Sequence, residues 1–97
     1  MKRDALIPVT EFCRHHKIEV RFVQSLQESK LIELVMVQDE IFVRLDQLPR
    51  LEKMVRLYFD LDINLEGIEV INQLLDRIDS MQQEIGLLRN KLSLFDE

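Results

Sequence analysis

The sequence predicts a mainly α-helical protein. A small winged helix-turn-helix domain over residues 1–63 is followed by a long C-terminal coiled-coil helix over residues 64–97. Three observations predict this. Two short stretches with apolar residues at helical spacing precede a stretch rich in strand formers. An unbroken apolar heptad runs from Ile71 to Phe95. Two glycines and two prolines in 97 residues leave few breaks between elements. With 46% hydrophobic and 32% charged residues, the chain has the balance of a folded domain rather than a disordered one.

Residues 1–8 read as a short extended lead, because Pro8 biases Ile7 away from helix. Thr10 is the expected N-cap of a first helix through Glu11, Phe12, Cys13, Arg14 and His15. A second helix is expected from Glu19 to about Ser29, with Phe22, Val23 and Leu26 as its apolar stripe. Two helices this close form a helix-turn-helix. Glu33–Val37 and Ile41–Arg44 are rich in strand formers and predict an antiparallel hairpin, the wing. Gln38, Asp39 and Glu40 lie between them. Asp-Glu is a poor two-residue hairpin turn, so a slightly longer loop is expected. Phe42 and Met36 are expected on the hairpin's inward face more than on a partner surface.

Asp46 is the expected N-cap of a third helix, with Pro49 in its first turn. Leu48, Leu51, Met54, Val55, Tyr58 and Leu61 share one face of that helix. A break is expected near Asp60–Ile63, after which Asn64 caps a final helix starting at Leu65. In that helix Ile71, Leu74, Ile78, Met81, Ile85, Leu88, Leu92 and Phe95 alternate steps of three and four. With Ile71 at position a, the a positions hold Ile, Ile, Ile and Leu, and the d positions hold Leu, Met, Leu and Phe. This is a coiled-coil seam roughly 36 Å long. Ile68 to Ile78 is expected to pack on Leu51, Val55 and Tyr58. Met81 to Phe95 extends too far to be covered by so small a domain, which predicts a homodimer. The g positions are Arg77, Glu84 and Lys91, and the e positions Leu75, Gln82 and Arg89. A Glu84–Arg89 contact suits a parallel pair, but the mixture leaves orientation open. Gly67 falls in the final helix's first turn, and Gly86 at outward position b.

The net charge of −5 is unevenly placed. Residues 1–60 hold ten basic and ten acidic side chains, and residues 61–97 hold three and eight. A concentrated basic surface, the usual footprint of a nucleic-acid binder, is absent from this pattern. The single cysteine, Cys13, excludes an internal disulfide and suits a reducing compartment. The start MKRDALIPVTEF lacks the apolar stretch of a signal peptide, and no apolar run approaches the roughly 20 residues of a membrane span. The expected location is cytoplasmic. Cys13, His15 and His16 are the only candidates for metal chemistry, and two ligands three residues apart do not make a site. No glycine-rich phosphate loop, ligand cluster or nucleophile with a positioned base is visible, so neither an enzyme nor a cofactor is expected.

Helix, helix, hairpin, helix and long helix, in that order, resemble the MerR-like winged-helix family. Within it the chain looks most like the CbpM-type chaperone modulators. Val9-Thr10-Glu11-Phe12-Cys13 looks like that group's opening helix. Val55-Arg56-Leu57, then Leu61 and Gly67-Ile68, carries the likeness through the middle, and Leu87-Leu88-Arg89-Asn90-Lys91-Leu92-Ser93 carries it through the tail. The resemblance implies a regulator that binds the J-domain of a DnaJ-like co-chaperone of the CbpA type and restrains its work with DnaK. J-domains present a basic helix, so the acidic run Asp60, Asp62, Glu66, Glu69, Asp76 and Asp79 is the expected partner surface. The chain departs from the DNA-binding MerR pattern. Its second helix sets Arg21 and Lys30 against Glu19 and Glu28, and its hairpin tip holds Asp39 and Glu40. A MerR-like DNA-binding transcriptional regulator is therefore the alternative expectation, and the main one is a protein-binding homodimer.

Overall fold

A computed structural model describes residues 5–95; the first four residues of the expected lead and the last two of the expected final helix lie outside the described residues. The chain runs β1 (Leu6–Pro8), α1 (Val9–His16), α2 (Val20–Glu28), β2 (Leu34–Val37), β3 (Glu40–Arg44), α3 (Leu48–Val55) and α4 (Leu65–Phe95). It is mainly helical, with one small antiparallel sheet and a long C-terminal helix.

The lead is more than extended backbone. Ile7 pairs with Val43 and Pro8 with Phe42, so β1 becomes an edge strand and the sheet has three strands in the order β1-β3-β2. Pro8 ends that edge strand, where its missing N–H costs nothing. It also precedes the first residue of α1, so the helix begins at Val9 and Thr10 does not cap it. Val9 is fully buried there.

Both short helices end in the same way. Lys17 and Lys30 adopt left-handed backbone conformations. Ile18 N–H then reaches Cys13 O at 3.0 Å, and Leu31 N–H reaches Leu26 O at 2.9 Å. These bonds satisfy carbonyls that the helix ends would otherwise orphan. The hairpin turn is tighter than the sequence led us to expect. Val37 pairs with Glu40, and only Gln38 and Asp39 turn, both at positive φ. Two positive φ values match the right-handed twist of the flanking strands, and that preference outweighs the poor turn propensity of Gln38.

Asp46 lies in a short 3₁₀ turn over Leu45–Gln47 and does not cap α3; Gln47 precedes that helix instead. Its carboxylate accepts from Arg44 Nε at 3.3 Å, while Arg44 Nη2 donates to Glu33 at 3.0 Å. The Glu33 and Asp46 carboxylates push the already high pKa of Arg44 further up. Pro49 does sit in the first turn of α3. Arg50 Nε donates to Leu31 O at 2.9 Å and ties α3 to the end of α2.

A single core lies between the helices and the sheet. It gathers Val9, Phe12 and Cys13 from α1, Phe22, Val23 and Leu26 from α2, Leu31 and Ile32, Val43 from β3, Leu51, Met54 and Val55 from α3, and Ile68 from α4. Burial pushes the Cys13 thiol pKa up. Met36, expected inward, is 66% exposed. It stands beside the hairpin tip opposite Ile41, beyond the helices that cover Val43.

Tyr58 and Leu61 leave the apolar face predicted for the third helix. After Val55 the chain widens into a π-helical turn over Arg56–Asp60, with Leu61 N–H on Arg56 O at 3.2 Å. Each residue then advances by a smaller angle, and the periodic face slips. Tyr58 turns to Phe22, with ring centroids 4.6 Å apart, and Leu61 is exposed. Asp62 at positive φ closes this segment. Asn64 Oδ1 then accepts from Gly67 N–H at 2.8 Å, the cap expected for the last helix.

Candidate functional site

The acidic residues singled out from the sequence occupy one stretch of surface, from the π turn into α4. Asp60 ends the turn, and Asp62 sits in its left-handed closing residue. Glu66 lies in the first turn of α4, with Glu69, Asp76 and Asp79 following along the helix. All are exposed except Glu69, which is half-buried. None forms an ion pair among the described residues, and Asp79 only accepts a hydrogen bond from the neutral Gln83 amide at 3.3 Å, so these carboxylates are open to a cationic partner. Helical geometry separates them from the heptad. Glu69 and Asp76 each precede an a position, Ile71 and Ile78, by two residues, which is nearly half a turn around the helix. A second helix laid along the heptad therefore leaves both facing away from it.

The heptad residues follow a gradient. Ile68 is fully buried and Ile71 half-buried, but Leu74 and everything after it along the seam is exposed. Packing of α4 on its own domain thus stops near Asn72, short of the Ile78 expected. Tyr58, one of its expected partners, faces Phe22 instead. Ile78, Met81, Ile85 and Leu88 are each 48–54% exposed, and Phe95 is 86% exposed. Leu87 and Leu94, outside the heptad, are exposed as well.

Two further surfaces carry no obvious sequence signal. Where α4 diverges from α3, an open groove of about 330 Å³ has a floor of Met54, Leu57, Ile68 and Leu75, with Lys53 and Asp76 among its lining residues. The second is a cluster of Phe22, Tyr58 and Phe59, with Tyr58 and Phe59 rings 4.9 Å apart and both partly exposed. Both depend on the π turn, which no residue in Arg56–Asp60 announces.

Cys13 is buried, and His16 packs on Phe12 with its Nε2 4.0 Å from Glu52. Among the described residues no three His, Cys, Asp or Glu side chains gather in a way that could hold a metal ion. Among the described residues no helix is long and apolar enough to cross a membrane.

The profile of the MerR HTH family of regulatory proteins matches residues 7–90, from β1 through most of α4. The chain belongs to the MerR HTH family. Within reach of this family member are the chaperone modulatory proteins CbpM of Escherichia coli O1:K1, of E. coli O45:K1 strain S88 and of E. coli O81 strain ED1a. Each is 32% identical over 88 residues, covering 90% of this chain and 87% of the relative. The chain is thus homologous to chaperone modulators over both its compact part and its long helix. No solved structure matches it.

Proposed function

We propose that this protein is a non-catalytic, cytoplasmic regulator that binds the J-domain of a DnaJ-like co-chaperone and holds it away from DnaK. The observation that carries the reading is the 32% identity to chaperone modulatory proteins over nine-tenths of the chain. The unpaired carboxylates from Asp60 to Asp79 support it, because a basic J-domain helix needs an acidic counterpart. On this reading α1, α2 and the hairpin β2–β3 form the winged helix-turn-helix domain of residues 1–63. The heptad of α4, within residues 64–97, forms a coiled coil that pairs two chains. The helix-turn-helix serves here as a scaffold for protein contact.

Calorimetric titration of the full chain with the J-domain tests this. Binding at micromolar concentration is expected, weakened about ten-fold or more by Asp62→Lys with Glu69→Lys, and less salt-dependent in that variant. Absence of heat at tens of micromolar rejects the reading. The family match favours a second reading, a DNA-binding transcriptional regulator. Against it, Arg21 on α2 shares its surface with Gln24, Gln27 and Glu28, and the hairpin tip exposes Asp39 and Glu40. Retardation of DNA in a gel at low salt would revive it.

A further inference from the structure

We propose that the aromatic cluster of Phe22, Tyr58 and Phe59 is the apolar centre of the partner interface, and that it seats one large apolar side chain from the partner's basic helix. This rests on the reading of the protein as a J-domain binder. It adds to the carboxylates the surface that supplies most of the affinity.

The π turn over Arg56–Asp60 creates this surface. A regular α-helix would carry Tyr58 along the face of Leu51 and Val55, toward the core. The wider turn sets Tyr58 on Phe22, with centroids 4.6 Å apart. Phe59 stands edge-on to both rings, 5.1 Å from Phe22 and 4.9 Å from Tyr58. Phe22 is closed off beneath, while Phe59 is 49% exposed and Leu61, two residues on, is 63% exposed. With Leu65 the three rings border an open hollow of about 330 Å³. Rings that brace one another hold their shape before a partner arrives, so little ordering entropy is lost on binding. A rigid aromatic patch ringed by polar side chains has the anatomy of an interface centre.

The charge around the hollow selects the occupant. Asp60 and Asp62 follow Phe59 in the chain, and Glu66 follows Leu65. All three are exposed and form no ion pair among the described residues. Lys17, Glu19 and Arg21 line the opposite side. The rim thus holds four carboxylates, Asp60, Asp62, Glu66 and Glu19, against two cations, Lys17 and Arg21. A helix that carries an apolar residue with Lys or Arg within a turn of it fits, its cations toward the π turn. Lys17 and Arg21 oppose a helix that is basic all round. Exposed charge pairs of this kind each change an equilibrium constant by roughly two-fold. Burying a Phe or Leu side chain changes it by about ten-fold or more. Burial at the cluster therefore sets the affinity, and the charges set orientation and the rate of encounter.

Two measurements on the full chain test this, with the J-domain as probe. Tyr58 is the single tyrosine, so fluorotyrosine labelling gives one fluorine resonance, at the cluster. That resonance should shift in step with the heat of J-domain binding. Heat with no change in the resonance overturns the inference and leaves J-domain binding intact. No heat from the unaltered chain rejects both. The second measurement is the affinity of variants. Phe59→Ser should bind about ten-fold more weakly or worse with its salt dependence kept, unlike the Asp62→Lys, Glu69→Lys variant. Arg21→Glu should strengthen binding about two-fold at low salt. A Phe59→Ser affinity within about two-fold of the unaltered chain overturns the inference. So does a dimer weakened by Phe59→Ser in sedimentation of the chain alone, which would assign the cluster to a second copy.

Discussion

Val23, Leu26, Val43 and Leu51 are fully buried, whereas Ile78, Met81, Ile85 and Leu88, no less apolar, each leave about half their surface open. The first group lies where α1, α2, α3 and the sheet converge, so each side chain has neighbours on several elements. The second lies on a single helix that has left those elements behind near Asn72. About one residue in five of the compact part contributes to one core, while the rear half of α4 repeats a seven-residue pattern that nothing else among the described residues covers. A seam of this regularity costs solubility when bare and gains stability when covered. The contrast teaches that burial within the folded chain accounts for the first region and not for the second, which is the surface that the proposed pairing would cover.

Substitutions can separate these two dependences. Leu51→Ala should have the largest effect on the chain itself. It opens a cavity in the core, and a loss of about 2–5 kcal/mol is expected, read as a lowered midpoint in urea unfolding. Ile85→Asp should do the reverse. It buries no charge in the single chain, but it places one in the middle of the proposed seam. Sedimentation equilibrium should show the dimer weakened at least thirty-fold, with near-ultraviolet circular dichroism of the compact part little changed. A dimer of unaltered strength would break the comparison. The two glycines of α4 offer a smaller, paired test. A Cβ at Gly67 would lie 2.7 Å from Ile63 Cγ2 and 3.1 Å from the Asn64 Oδ1 that caps the helix, whereas a Cβ at Gly86 meets nothing within 4 Å. Gly67→Ala should therefore cost about 1–2 kcal/mol through the lost cap and the crowding. Gly86→Ala should add up to about 1 kcal/mol through helix propensity. Thermal unfolding of the two variants should shift in opposite directions.

The same contrast explains what was legible from the residues alone. The long final helix, the Asn64 cap and the apolar stripe Phe22, Val23 and Leu26 rest on local patterns, and each appears where it was expected. The acidic run also lies at the surface, although Glu69 is partly covered. What stayed hidden depends on distant contacts or on backbone geometry. β1 forms only because β3 offers an edge to pair with, so Leu6–Pro8 looked merely extended. The two-residue turn at Gln38-Asp39 is imposed by strand twist, against the preference of its residues. Asp46 is drawn to Arg44, and so the best-looking cap for α3 caps nothing. The π turn at Arg56–Asp60 has the largest consequence. It rotates Tyr58 and Leu61 off the predicted face and sends α4 away from the core about two turns sooner than the periodicity indicated. The groove beside Lys53 and Asp76 exists because of that departure.

Sedimentation velocity of the chain mixed with the J-domain, both at tens of micromolar, tests the account most directly, because mass reports the pairing and the partner together. The account predicts one faster boundary with the mass of two chains and two J-domains, which the Asp62→Lys, Glu69→Lys variant shifts toward the positions of a chain dimer and free J-domain. Two separate boundaries from the unaltered proteins, at the masses each shows alone, would contradict it.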